Sequence, residues 1–272
     1  MVRRDGDGSD RICIPENLEG KSVIVKVDNE KSLLLEYLYN CDVKIIGNIK
    51  LLIVHGFCWI DNLDLTEAPN LRILKCNDIG VSKLNITKNF KLEELNCGWN
   101  KFSELNVTNN PKLKILNCDG CSKLENIDIS NNLELELLNC FYCTILENLN
   151  ISDNFNLEAL NCEHTNITEL NLSNNLKLKK LICSNTSISN LNLSNNPELD
   201  ILFCDDTELT ELDLSQHFKL KKINCRNNKL TLLILPQDEN LRELKCSDND
   251  LPYEDIKGYQ SALRNSKYKS AH

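Results

Sequence analysis

The feature that most restricts the fold of this chain is a cysteine that returns every 21 or 22 residues. The cysteines that keep this spacing are Cys76, Cys97, Cys118, Cys140, Cys162, Cys183, Cys204, Cys225 and Cys246. The residues around them repeat with the pattern L-x-x-L-x-C-x-x-N/T-x-L-x-x-L-x-L-S-N-N, as in residues 157–175. A unit of this size cannot bury its own leucines, so successive units are expected to stack into a solenoid.

Within each unit, the L-x-C step has a period of two and predicts a short strand whose Leu and Cys face inward. Stacked strands would form a parallel sheet on the concave face. A second inward set, such as Ile167, Leu170 and Leu172, would line the rest of the coil. A 21-residue unit leaves little room for a helix on the convex side, so turns and 3₁₀ pieces are expected there. Ser173–Asn175 is predicted to form turns in which short polar side chains bond the local backbone.

This repeat resembles the leucine-rich-repeat family, and within it the bacterial 21-residue type with a cysteine ladder that occurs in internalins. The resemblance covers roughly residues 50–251. It implies an α/β repeat solenoid, a right-handed coil with a concave parallel β-sheet and mostly turns and 3₁₀ structure on the convex side. Internalins are secreted and surface-anchored, whereas this chain shows neither a signal peptide nor an anchoring tail. Their adhesin role is therefore not expected here.

The repeat pattern also suggests the boundaries of the domain. We expect a flexible acidic leader in residues 1–19 and an N-terminal cap in 20–49. About nine or ten repeats would follow in 50–251, closed by a capping helix and tail in 252–272. His55 is assigned to the ladder position of an irregular first repeat, as a hydrogen-bonded core residue.

A second column lies three residues after each ladder cysteine and contains Asn100, Cys121, Cys143, Thr165, Thr186, Thr207, Asn228 and Asn249. The resemblance implies that these side chains satisfy buried backbone groups in the turn after the strand. Two cysteines of this column, with two ladder cysteines, give C-x2-C spacings at Cys118–Cys121 and Cys140–Cys143 that also suit zinc. The two columns account for all four positions without a metal, so no cofactor is predicted, and zinc remains the alternative.

The composition and motifs disfavour several classes of function. With 40 acidic and 31 basic side chains, a net charge of −9 disfavours nucleic acid or anionic membranes as partners. No apolar run is long enough to cross a bilayer. No nucleophile elbow, phosphate-binding glycine loop or H-E-x-x-H motif is present, so no enzymatic activity is predicted. Without a signal peptide, a cytoplasmic location with reduced thiols is expected, and non-classical export into a host cell stays open.

Outward-facing positions on and after the predicted strands are free to bind a partner. Several of them are apolar or aromatic on neighbouring repeats, which is typical of a protein interface. The candidate partner-binding residues are Trp99, Ile115, Leu137, Phe141, Tyr142, Lys180, Ile182, Ile201, Phe203 and Lys222. The predicted function is therefore a non-enzymatic protein–protein interaction module, monomeric rather than homodimeric. The alternatives are an effector acting on host proteins and a self-associating structural protein.

Overall fold

The computed structural model describes residues 21–27, 32–55, 58–237 and 240–252, together with the backbone of two strands nearer the N-terminus, Val2–Arg4 and Asp10–Cys13. The capping helix and tail predicted for residues 252–272 lie outside the described residues, apart from Pro252. The same holds for most of the predicted acidic leader, apart from these two strands.

One long sheet of 13 strands runs through the described part of the chain. Its first two strands pair antiparallel, and every later pair is parallel, because each repeat adds one strand beside the previous one. The strands of this long sheet are β1 Val2–Arg4, β2 Asp10–Cys13, β4 Ser32–Glu36, β6 Leu51–Val54, β8 Ile73–Lys75, β10 Glu94–Asn96, β12 Ile115–Asn117, β14 Leu137–Asn139, β15 Ala159–Asn161, β16 Lys180–Ile182, β17 Ile201–Phe203, β19 Lys222–Asn224 and β21 Glu243–Lys245.

In several units, the chain forms another short strand after the turn that follows the long sheet, but the units that contain β14, β15 and β16 form none there. These additional strands form one four-stranded sheet and two strand pairs, all parallel. The four-stranded sheet contains β3 Lys21–Val27, β5 Cys41–Gly47, β7 Asn62–Glu67 and β9 Leu84–Asn85. The pairs are β11 Glu104–Asn106 with β13 Asn126–Asp128, and β18 Glu211–Asp213 with β20 Leu232–Ile234.

The core lies between these two sets of strands. The central leucine of each short strand stacks on its equivalent in the next repeat, as Leu116 does on Leu138, and both are fully buried. Every ladder cysteine is also buried except Cys246, which is half-buried at the last described repeat. The predicted solenoid with inward-facing Leu and Cys is confirmed.

The α/β part of the predicted fold class is wrong for the described residues, which contain neither an α-helix nor a 3₁₀ helix. Two extended passages and the turns between them use up a 21-residue unit, so the side opposite the long sheet consists of short strands and turns. Accordingly, no helix in the described residues is long and apolar enough to cross a membrane.

The position predicted for His55 is also wrong. In β6, Leu51 pairs with Ile73 and Ile53 with Lys75, which places Val54 beside the ladder residue Cys76. Val54 is fully buried, whereas His55 is exposed. The segment Leu51–Val54 is apolar at all four positions, so hydrophobic alternation alone could not define which residues face inward.

A column of buried asparagines at the end of the S-N-N motif was not anticipated. Its members are Asn89, Asn110, Asn132, Asn154, Asn175 and Asn196, with His217 in the same place in the next repeat. In a typical unit, Asn175 Nδ2 donates to the backbone carbonyls of Ile151 and Asn154, both at 3.0 Å and both in the preceding repeat. The side chains of Ser173–Asn175 were predicted to bond the local backbone, but the local bond at this turn is made by Asn171. Its Oδ1 accepts the N–H of Ser173 at 3.1 Å. The asparagine column therefore fastens neighbouring repeats to each other.

Candidate functional site

The exposed face of the long sheet carries an apolar patch on β12 and β14. Ile115 and Leu137 pair directly in the sheet register and are half-buried. Each stands beside the fully buried leucine at the centre of its own strand, so both point away from the core. This pair, called patch A, presents branched aliphatic side chains on adjacent repeats.

The second apolar patch, patch B, is formed by Ile182, Ile201 and Phe203. Ile182 pairs with Phe203, while Ile201 lies between the exposed lysines Lys180 and Lys222 in the register. Ile182 is only 9% exposed, but it is not part of the continuous core.

The sequence suggested one apolar strip through these residues, whereas the structure divides them into two patches. The strand between them, Ala159–Asn161, contributes only a methyl group and an amide to this face. The two patches are therefore separated by one strand with small and polar outward side chains.

The edge at which the strands of the long sheet end, called the trailing edge, carries an aromatic cluster. It consists of Trp99, Phe141, Tyr142 and His164, which lie one or two positions after their ladder cysteines. The rings of Trp99 and Tyr142 are stacked, with centroids 6.1 Å apart and planes at 19°. His164 meets the edges of Phe141 and Tyr142 at 5.8 and 5.7 Å. Three predicted site residues thus meet on this edge, together with a histidine that was not in the predicted set.

Carboxylates lie on the same edge as this cluster. The indole Nε1–H of Trp99 donates to Asp119 Oδ2 at 3.0 Å, which fixes the orientation of the ring. Burial raises the pKa of Glu163, as does the nearby charge of Asp205, while His164 opposes the shift. Asp206 follows Asp205 on the same edge.

Asparagines that directly precede the ladder cysteines use their side chains to bond the local backbone. Asn117 Oδ1 accepts the N–H of Asp119 at 3.2 Å, and Asn139 Oδ1 accepts the N–H of Phe141 at 3.1 Å. These bonds shape the start of the turn after each strand. They therefore hold the residues of the trailing edge in place.

The four cysteines with zinc-like spacing occupy the two predicted columns. Cys118 and Cys140 lie in the ladder, and Cys121 and Cys143 lie in the column three residues after it. Cys121 Sγ–H donates to Cys97 O at 3.5 Å, and Cys143 Sγ–H donates to Cys118 O at 3.2 Å. Burial raises the pKa of the Cys121 thiol to about 12, so the thiol stays protonated near neutral pH. Among the described residues, no group of three or more His, Cys, Asp or Glu side chains is placed to hold a metal ion.

Another apolar surface, which the sequence analysis did not identify, lies at the edge where the strands of the long sheet begin. This leading-edge column directly follows the buried asparagine column and contains Phe90, Pro111, Leu133, Phe155, Leu176, Pro197 and Phe218. The side chains of its phenylalanines and leucines are about half exposed. The signal was present in the sequence, since the residue after S-N-N or its equivalent is apolar in successive repeats.

Comparisons with solved structures agree with this geometry. The functional domain of InlJ from Listeria monocytogenes, which includes a cysteine ladder, matches with 28% identity and a TM-score of 0.54 over 76% of this chain. The match covers 54% of the InlJ structure, so this chain spans about half of its length. The internalin InlF from the same organism matches with 18% identity and a TM-score of 0.59, over 88% of this chain and 73% of InlF. No protein-family model and no curated protein sequence matches the chain. The predicted resemblance to leucine-rich-repeat proteins with a cysteine ladder is confirmed.

Proposed function

Starting from the leucine-rich-repeat fold, we propose that this protein is a non-enzymatic module that binds another protein on the exposed face of its long sheet. The observation that carries the proposal is the presence of patches A and B outside a core that is already complete. Ile115, Leu137, Ile201 and Phe203 remain partly exposed, while the leucines between them are fully buried. Their exposure does not serve the packing of the solenoid.

The surroundings of the patches support a protein partner. A typical protein interface has an apolar centre, aromatic anchors and a polar rim. Here Phe203 and Ile201 supply an apolar centre, and the exposed lysines Lys180 and Lys222 lie on either side of Ile201. The chain has 40 acidic and 31 basic side chains, and this net negative charge favours a protein partner over a nucleic acid.

Site-specific photo-cross-linking can test which surface binds. We would place p-benzoylphenylalanine at Leu137 or Ile201 on the long sheet, and at Leu133 or Leu176 in the leading-edge column as matched controls. After irradiation in cells of the source organism, cross-linked partners would be identified by mass spectrometry. We expect a specific foreign partner from the sheet positions, and no protein other than a second copy of this chain from the controls. Cross-links that arise only from Leu133 or Leu176 would contradict binding by the sheet face.

The leading-edge column favours a second candidate function, which is self-association. Exposed phenylalanines and leucines that continue over successive repeats are uncommon on monomeric proteins. Native mass spectrometry of the wild type and of a Leu133→Asp, Phe155→Asp double variant tests this candidate. A dimer in the wild type that becomes a monomer in the variant would support it. A wild-type monomer across a wide concentration range would contradict it.

A further inference from the structure

The backbone two residues after each ladder cysteine is left-handed in all nine cysteine-containing repeats, with φ between 49° and 67°. The residues at this position are Asp78, Trp99, Gly120, Tyr142, His164, Asn185, Asp206, Asn227 and Asp248. Gly, Asn and Asp tolerate this conformation well, and His is also enriched in it, whereas bulky aromatic residues are genuine outliers there. Trp99 and Tyr142 are the two exceptions.

Stability does not explain these two aromatic residues. Trp99 is 51% exposed and Tyr142 is 42% exposed, so neither ring fills the core. Each repeat would close its turn with less strain if it carried Asn, as Asn185 and Asn227 show at the same position. Strained backbone at an exposed aromatic residue points to a function for the side chain.

The two rings form one continuous surface because the repeat between them has a glycine. A Cβ atom at residue 120 would overlap the indole of Trp99, so the ring lies directly over Gly120. This lets Trp99 reach Tyr142 two repeats away and stack with it at 6.1 Å. Asp119 accepts the indole N–H and keeps the Trp99 ring in this position. We call the two rings with Gly120 the aromatic shelf.

The charge beside the shelf is negative and lacks lysine or arginine partners. In the described part of the chain, Asp119, Asp205 and Asp206 form no ion pair with a lysine or arginine, and Glu163 meets only His164 at 3.9 Å. Several acidic side chains elsewhere pair with basic residues of the adjacent repeat. Examples are Glu93 with Arg72, Glu158 with Lys179, Glu198 with Lys219 and Glu208 with Lys229. These four carboxylates on the trailing edge thus form no ion pair with a lysine or arginine in the described residues, although Arg226 follows in the repeat after Asp205 and Asp206.

We propose that the aromatic shelf binds an arginine side chain from a basic segment of the partner protein. The guanidinium plane stacks on an exposed ring face of the shelf, and its N–H groups donate to the carboxylates of Asp119 and Glu163. Arginine fits better than lysine because its cation is planar, stacks on aromatic rings and has several donors in a fixed arrangement. The chain already makes a related contact, since Lys101 Nζ lies 5.2 Å from the centroid of the Trp59 ring.

This inference rests on the proposed protein-binding function and can be tested with a defined probe. Fluorescein-labelled hexa-arginine and hexa-lysine peptides would be titrated with the full chain, and binding followed by fluorescence anisotropy. The variants are Tyr142→Asn and Trp99→Asn, which remove a ring and place a well-suited residue in the left-handed turn. The matched control is Tyr37→Asn, because Tyr37 is also an exposed aromatic residue with a left-handed backbone, at φ 57°, but follows β4, three strands from β10 in the long sheet.

We expect hexa-arginine to bind more tightly than hexa-lysine, and each shelf variant to weaken hexa-arginine binding roughly fivefold or more. The Tyr37→Asn control should bind like the wild type. The thermal midpoint of both shelf variants should stay level or rise, since the strain in the turn is relieved. A variant that binds poorly while being at least as stable as the wild type has lost a binding group rather than its fold.

Three results would overturn the arginine site: no binding of hexa-arginine, equal affinity for both peptides, or full binding by Tyr142→Asn and Trp99→Asn. Failure of the arginine site alone can be distinguished from failure of the sheet-face proposal. A natural partner that cross-links at Leu137 and Ile201 and is unaffected by Tyr142→Asn would leave sheet-face binding intact and remove only the arginine site.

Discussion

The buried asparagine column allows a sharp test with two neighbouring residues of the same type. In the unit that ends at Asn175, its Nδ2 makes two buried hydrogen bonds to the preceding repeat, at 3.0 Å each. The adjacent Asn174 makes one exposed bond, to Ser152 O at 2.9 Å. We therefore compare Asn175→Ala with Asn174→Ala.

The expected magnitude follows from the bonds that each substitution removes. The carbonyls of Ile151 and Asn154 also accept the backbone N–H groups of Asn154 and Leu157, so each keeps one bond after Asn175→Ala. Two lost bonds at about 0.5–1.5 kcal/mol each predict a loss of about 1–3 kcal/mol in unfolding free energy. The cavity left by the carboxamide adds to this loss. For Asn174→Ala we expect at most about 0.5 kcal/mol, the usual range for a surface site.

Urea unfolding followed by far-UV circular dichroism measures both variants, with the m-value used to check that the cooperativity is unchanged. If the two variants lose equal stability, the asparagine column does not fasten the repeats and the reasoning is refuted. The same conclusion follows if Asn174→Ala is the more damaging change.

Three further predictions concern the core and the sheet face. Cys183→Ser should lower the free energy of unfolding by about 1–3 kcal/mol, because it places a hydroxyl in a fully buried site; Cys246→Ser at the half-buried end should cost less, and equal losses in urea unfolding would contradict the ladder. Raised thiol pKa values, about 12 for Cys121, mean that folded thiols hold their protons more tightly than unfolded ones. The stability that they contribute is complete below the unfolded thiol pKa of about 8.5 and is lost as the pH rises above it, so the urea midpoint should fall between pH 7.5 and pH 10. Phe203→Asp should change the thermal midpoint little, whereas Leu202→Asp should unfold the repeat, and a large effect of Phe203→Asp would show that patch B is core.

The long sheet could be predicted from the sequence because its signal is repeated and redundant. In each unit the ladder cysteine and the leucine or isoleucine two positions before it mark the inward residues, as with Cys140 and Leu138. The signal failed where one strand was apolar on both faces. The sequence pattern therefore did not reveal that Val54, rather than His55, occupies the ladder position. A period of two needs polar residues between the apolar ones in order to define a face.

Other features depended on geometry that the pattern does not contain. Asn174 and Asn175 are identical in type, but one is exposed and the other is buried between repeats. The predicted site residues Trp99 and Tyr142 are separated by two repeats, and their contact depends on the left-handed turns and on the small residue Gly120. A linear sequence gives the positions of such side chains but not the direction in which each turn sends them.

The hydrogen bonds of the asparagine column run in one direction along the chain. The side chain of each repeat caps carbonyl groups of the repeat before it, as Asn196 does for Leu172 and Asn175. During synthesis, every new unit therefore completes the unit that left the ribosome just before it. The solenoid is suited to grow from its N-terminal end in the order in which it is translated, and the two ends of a truncated chain would not be equivalent. Loss of the repeat that contains Asn196 would uncap Leu172 and Asn175, while loss of the repeat before it would leave the amide of Asn196 with nothing to cap.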